Sequence, residues 1–282
     1  MSSSLFDARL VVLFVPGDRP ERFAKALAAG ADAIILDLED AVAVAEKPHA
    51  REAIAAGFPA GGGPIFLRVN PVGTPWHGED VALARRLPLA GLVLPKAEHV
   101  ADIPDLDGLP VMALVESARG IANARAIAAA PQVRRLAFGS IDFAADIGSA
   151  HTNDALLAAR SELVLASRLA GLAGPLDGVT AAFDDAALCE AEAAYAASLG
   201  CAGKLCIHPR QIAPVIQGFA PSDAELSWAR RVLEASAAGG AAVKVDGAMV
   251  DTPVLRPCAC APRAFWRARR ARRRFRETPN ER

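Results

Sequence analysis

Aromatic side chains are scarce in this 282-residue chain: 11 Phe, 3 Trp and a single Tyr make up 5% of it. Single-stranded nucleic acid would find few rings to stack on, which argues against it as the main partner. Cysteine is also sparse. The five, at positions 189, 201, 206, 258 and 260, form no CxxC pair, and neither close spacing matches a zinc site. They read as reduced, structural thiols. No Gly-x-Ser-x-Gly elbow is present, and nothing pairs His49 or His77 with a nucleophile. Every apolar run is broken by charge well short of ~20 residues. The start, Met1-Ser-Ser-Ser-Leu-Phe-Asp7, lacks a basic segment leading into an apolar one. The expectation is a soluble, cytoplasmic protein.

What is abundant is apolar: 52% of residues, enough for one large core. Eight short, nearly continuous apolar runs (residues 11–15, 33–38, 65–69, 91–94, 111–115, 135–138, 176–179 and 204–207) read as parallel strands covered by helices. Amphipathic, Ala-rich stretches alternate with them, at 20–29, 79–87, 120–130, 154–169 and 184–199. Eight such units predict an α/β fold of TIM (β/α)8 barrel type, although an open doubly wound sheet alternates similarly. Charged groups gather just after the strands: Glu39 and Asp40, Arg68, Lys96, Glu116, Asp142 and His208. Barrels build active sites on that face.

Residues 1–220 are therefore expected to form the barrel, and residues 221–255 a C-terminal helix and lid. Ser222 and Glu225 have capping-box spacing, and a turn is expected at Asp246-Gly247. Residues 256–282 stand apart, with ten arginines and two acids, leaving about −9 on the rest of a chain whose net charge is −1. An anionic-partner segment, a solvated extension and a changed reading frame are the three accounts of this tail; the abrupt break after Leu255 favours the last.

Several segments are specific: Phe14-Val-Pro-Gly-Asp-Arg-Pro-Glu-Arg-Phe23, Ile35-Leu-Asp-Leu-Glu-Asp-Ala-Val42, Leu67-Arg-Val-Asn70, Val93-Leu-Pro-Lys-Ala-Glu98, Ala113-Leu-Val-Glu-Ser-Ala-Arg-Gly120 and Lys204-Leu-Cys-Ile-His-Pro-Arg-Gln211. Together, in collinear order over residues 10–255, they resemble the citrate lyase beta-subunit-like branch of the HpcH/HpaI aldolase family. The resemblance implies a Mg²⁺-dependent carbon–carbon lyase that splits or forms a hydroxyacyl-CoA thioester, such as citryl-CoA, citramalyl-CoA or malyl-CoA, with a keto acid as the other partner. It also implies a homotrimer. The alternatives are an aldolase on free 2-keto acids and a non-catalytic subunit that binds an acyl carrier.

Two carboxylates with open positions suit Mg²⁺, and the resemblance implies Glu116 and Asp142 as its ligands, solvated carboxylates or helix caps being the alternative. Arg68 keeps its charge at working pH and can grip a substrate carboxylate or enolate oxygen, or pair with Glu39 or Asp40. Glu39 and Asp40 are expected behind the metal site, unless they cap a helix at the rim, and Asp37 is read as structural. Gly17 and Arg19 open a helix at Pro20, where backbone N–H groups can receive a phosphate or the chain of CoA, with a plain tight strand-to-helix turn as the alternative. Lys96 is a second phosphate or acyl contact, with a rim ion pair as the alternative. His208 is expected to shape the mouth by local hydrogen bonds. Asp251, beyond the barrel, matches an acid that in similar proteins reaches a neighbouring subunit's site and handles a proton. The chain departs from the family before Phe14, where Arg9 only approximates the usual Arg-Ser pair, and after Leu255.

Overall fold

The period of two along each strand decides which side chains meet which layer. The structure, a computed structural model, describes residues 5–59, 61, 63–237, 243–246 and 248–250. In β1 (Leu10–Pro16), Val11, Leu13 and Val15 face the helices, while Leu10, Val12 and Phe14 face inward. The same alternation runs through β2 (Ala33–Asp37), β3 (Ile65–Arg68), β4 (Gly91–Leu94), β5 (Val111–Val115) and, after a register shift at its start, β6 (Val133–Phe138), with β7 (Gly203–Cys206) completing a parallel sheet in the order β6-β5-β4-β3-β2-β1-β7. Between β6 and β7, the run expected as a full strand is pared to two bridged residues. Leu176 pairs with Ala137 and Asp177 with Lys204. The Phe138 N–H donates to Leu176 O at 2.9 Å and the Leu205 N–H to Asp177 O at 3.0 Å, so hydrogen bonds close the sheet into a TIM barrel.

Inside the barrel, Leu10, Val12, Ile35, Phe66, Val93, Met112, Leu114, Leu176 and Leu205 form one packed cluster. Phe6 plugs the N-terminal end, edge-on to Phe66 with centroids 5.7 Å apart. The fully buried Arg135 fastens this plug by donating to Phe6 O and, at 2.7 Å, to Ala202 O. Above the apolar layer, the inward positions at the C-terminal strand ends turn to charge: Asp37, Arg68 and, just past β5, Glu116.

Helices cover the outer face. The helix expected at 20–29 is a 3-10 turn, Pro20–Arg22, followed by α1 (Phe23–Leu27). Next come α2 (Lys47–Gly57) and α3 (His77–Ala84). The one expected at 120–130 breaks at Asn123 into α4 (Ala118–Ala122), capped by the Ser117 hydroxyl, and α5 (Ala124–Ala129). Asp142, expected just after the sixth strand, lies in the first turn of α6 (Ser140–Asp146), which starts two residues past the end of β6 at Phe138. Then follow α7 (Asn153–Leu169), α8 (Ala186–Leu199) and α9 (Ile212–Gly218). The capping box forms ahead of α10 (Asp223–Ala237): the Ser222 N–H donates to Glu225 Oε2 at 2.7 Å, and the Glu225 N–H to Ser222 Oγ at 3.2 Å. The hairpin of β8 (Val243–Val245) and β9 (Ala248–Val250) packs Val245 against Ala229 and Val232 of α10. Asp251 and the tail from residue 256 lie outside the described residues. Among those described, no helix is long and apolar enough to cross a membrane.

Candidate functional site

β2 and β3 are in register with Asp37 beside Arg68, so a carboxylate and a guanidinium are forced together at the barrel mouth. Arg68 Nε donates to Asp37 Oδ1 at 2.7 Å and Nη2 to Oδ2 at 2.6 Å, the bidentate geometry that lysine cannot supply. Its Nη1 lies 2.7 Å from Glu39 Oε2 and 3.5 Å from Asp40. Its face also covers the Phe14 ring at 4.6 Å. Burial works against the Arg68 charge, but Asp37, Glu39 and Asp40 together hold its pKa above the ordinary value. Asp37 also accepts the N–H groups of Glu39 and Ala41, at 2.9 and 3.2 Å, and so shapes the loop that carries the next two acids.

Glu39 points inward and is buried, whereas the Asp40 side chain is 59% exposed and reaches Arg68 from the solvent side. Burial, opposed mainly by Arg68, pushes the Glu39 carboxyl up to about 7. Its Oε2 is in ion-pair range of Arg68 but has no aligned hydrogen bond, so one buried oxygen is left with electrostatic attraction alone. Glu116 follows β5 and is 5% exposed. Its Oε1 accepts the Lys96 N–H at 2.7 Å. Burial and the neighbouring Glu39 push Glu116 up to about 8. Glycine at 139 is required here, since a Cβ at that position would sit 2.2 Å from Glu116 Oε2. Asp142 faces the same space with a side chain 38% exposed, and Lys96 Nζ bridges to it at 3.6 Å and to Glu39 Oε1 at 3.3 Å. His151 Nε2 lies 2.9 Å from Ser140 Oγ and steadies the helical turn that carries Asp142.

The structure thus brings Arg68, Glu39, Asp40, Lys96, Glu116 and Asp142 into one cluster. Of the phosphate cradle and the tight turn that Gly17 and Arg19 could form, the geometry matches the turn. The Gly17 N–H is spent on Asp37 O at 2.8 Å and the Arg19 N–H on Pro16 O at 3.2 Å. Gly17 instead permits close approach, because a Cβ there would meet Asp37 O at 2.6 Å. What the turn still offers an anion is the exposed Arg19 guanidinium, 3.7 Å from Asp18. His208 bonds locally, its Nδ1 accepting the Arg210 N–H at 3.1 Å, and its ring lies 5.0 Å from that of Phe183.

Sequence reasoning missed Lys47. Buried at the start of α2, its ammonium donates to Leu38 O at 2.9 Å and Glu39 O at 3.0 Å, with the Trp76 ring 5.2 Å away. It also missed Asp80, fully buried, which accepts both the backbone and side-chain N–H of Asn70 and is paired with Arg51. Both brace the loops after β2 and β3. Their partners are backbone atoms or residues on other elements, which no local pattern announces.

The donor set suits a divalent cation of the hard, oxygen-seeking kind. Glu39 and Asp142 already converge on one positive group, the Lys96 ammonium, and Glu116 adds to the field it feels. Carboxyl groups pushed up to about 7 and 8 are ones that a nearby cation would return to the ionised form. Among the described residues no set of three or more His, Cys, Asp and Glu side chains forms a metal cage. A cation held by two of these acids would keep open positions, as Mg²⁺ prefers.

Residues 10–209 match the model of the HpcH/HpaI aldolase/citrate lyase family. The chain belongs to that family. It is 40% identical over 250 residues to a citrate lyase subunit beta-like protein of Mycobacterium tuberculosis, covering 86% of this chain and 90% of the relative. It is 36% identical to a (3S)-malyl-CoA thioesterase of Cereibacter sphaeroides (85% and 88% covered) and 33% identical to an L-malyl-CoA/beta-methylmalyl-CoA lyase of Rhodobacter capsulatus (86% and 90% covered). Among solved structures it resembles the CitE protein of Mycobacterium tuberculosis in complex with magnesium, acetoacetate and coenzyme A, with TM-score 0.84, 38% identity, and 92% and 98% of the two chains covered.

Proposed function

We propose that this family member is a Mg²⁺-dependent carbon–carbon lyase acting on a hydroxyacyl-CoA thioester, with a keto acid and an acyl-CoA on the other side of the reaction. The observation that carries the reading is the acid-rich mouth, where Glu39, Glu116 and Asp142 share the field of one ammonium group. The solved relative with magnesium, acetoacetate and coenzyme A supports it. Glu116 and Asp142 would hold the metal, which when bound supplies Lewis-acid stabilisation of negative charge on oxygen.

The rest falls to the chain's own groups. Arg68, locked by Asp37, presents a fixed positive charge beside the reacting oxygens at no cost in reorganisation. Glu39 and Asp40 hold the outer side of that guanidinium. The exposed Arg19 guanidinium is suited to a phosphate of the CoA chain, and Asp251 is assigned the proton that the acyl product requires. The division into barrel, C-terminal lid and Arg-rich tail, a cytoplasmic setting and a homotrimer that brings Asp251 to a neighbouring mouth belong to the same proposal. The thioesterase relative favours a second reading, in which water attacks the thioester carbonyl and the carbon–carbon bond stays intact.

Calorimetric titration with acetyl-CoA and propionyl-CoA, with and without Mg²⁺ and a keto acid, separates CoA chemistry from an aldolase on free keto acids. Binding of an acyl-CoA in the presence of Mg²⁺ is expected. Failure of every CoA ester to bind would sink the thioester reading.

A further inference from the structure

Lys96 is built into the mouth twice. Its backbone takes the left-handed conformation, φ 47°, which is uncommon for a residue with a side chain, and in that conformation its N–H donates to Glu116 Oε1 at 2.7 Å. The same residue sends its side chain to the other two acids, 3.3 Å from Glu39 Oε1 and 3.6 Å from Asp142 Oδ2. One residue therefore orients one carboxylate through its amide and bridges two more through its ammonium. The side chain is 45% exposed, so it can leave this position toward solvent without crossing the core.

We propose that Lys96 is the resident counter-cation of the metal site: its ammonium holds the carboxylates together in the metal-free enzyme and is displaced when the divalent ion binds. This inference rests on the reading of Glu116 and Asp142 as the metal's ligands and adds a competitor for them within the same chain. Metal loading then becomes an exchange of one cation for another, and the free enzyme binds its metal more weakly than the bare carboxylates would. Burial opposes the Lys96 charge, but Glu39, Glu116, Asp40 and Asp142 together raise its pKa, in keeping with an ammonium held by acids.

The test is binding of Mn²⁺ alone, followed by loss of the free-ion paramagnetic resonance signal, and of Mg²⁺ alone by calorimetry. It compares wild type, Lys96→Met and Lys96→Arg. Methionine keeps the backbone N–H and a similar length but removes the charge. Its variant should bind either metal at least about fivefold tighter, a modest factor because the pair is partly exposed and screened. Arginine keeps the charge and should stay near wild type. A melting measurement supplies a second readout: Lys96→Met should lower the melting temperature of the metal-free protein and recover on saturation with Mg²⁺. Equal or weaker metal binding by folded Lys96→Met would overturn the exchange while leaving the metal site standing. No binding of Mn²⁺ or Mg²⁺ by any of the three proteins would overturn both.

Discussion

Two clusters of buried charge sit on this barrel, one at its mouth and one at its closing seam, and they balance charge in opposite ways. At the seam, Asp177 is shared by Arg160 at 2.7 Å and Lys204 at 2.9 Å, and Lys204 meets Glu192 at 3.5 Å. Two acids face two cations, and although burial pulls the other way, Lys204 and Arg160 hold the Asp177 carboxyl below its usual value. At the mouth, Asp37, Glu39, Asp40, Glu116 and Asp142 share Arg68 and Lys96, while Lys47 gives its hydrogen bonds to carbonyl oxygens. Two of those acids are pushed up, to about 7 and about 8. Burial is common to both clusters. What separates a structural cluster from one prepared to take a cation is the uncompensated negative charge.

The sharpest way to break this contrast is to remove one acid from each side. Glu116→Ala should lower turnover at least ~10³-fold and abolish its dependence on Mg²⁺, as measured by steady-state kinetics across a Mg²⁺ series. Asp177→Asn should leave Arg160 without its ion-pair partner and Lys204 with only the more distant Glu192, and cost about 3–5 kcal/mol of stability in denaturant unfolding. Its Mg²⁺ affinity should stay within about twofold, since the two clusters make independent contacts. If Asp177→Asn disturbs metal binding as strongly as Glu116→Ala, the clusters are not independent.

A smaller effect is expected within the mouth. Arg68→Lys keeps the charge but loses the two-point hold on Asp37, and kcat should fall ~10–100-fold with the fold intact by circular dichroism. The smallest is a pH effect. Because the folded state raises the Glu116 pKa, that state binds the proton more readily than the unfolded chain does. Stability of the metal-free protein should therefore fall as pH rises from the ordinary carboxylate range to about 8, and level off beyond it. Melting curves of metal-free Glu116→Gln should show a shallower fall than wild type over that window. Saturating Mg²⁺ should flatten the wild-type curve.

Much of the mouth was legible in the sequence because it obeys local rules. A run of β-branched and apolar residues ending in Arg68 or Glu116 places that residue at the C-terminal face whatever the rest of the chain does. The capping box at Ser222 and Glu225 is local in the same sense. The seam was not legible. The run at 176–179 reads as a strand like the others, but the partners of Asp177 come from α7 and β7, on either side of it in the chain, and no local pattern announces them. That Asp142 lies in a helix was not legible, because Gly139-Ser140 ends the strand and starts a helix within two residues. The choice between the two roles open to Gly17 was not legible for a related reason. A glycine after a strand has the same appearance whether its N–H awaits a phosphate or is already bonded to the neighbouring strand.

The most direct test of the central claim is turnover of citryl-CoA, citramalyl-CoA and malyl-CoA by the purified chain, with Mg²⁺ and with a chelator, reading the keto acid and the acyl-CoA separately. At least one ester is expected to give keto acid and acyl-CoA in equal amounts, and only with Mg²⁺. Equal rates without metal, free CoA released with no keto acid, or no reaction with any of the three would contradict it.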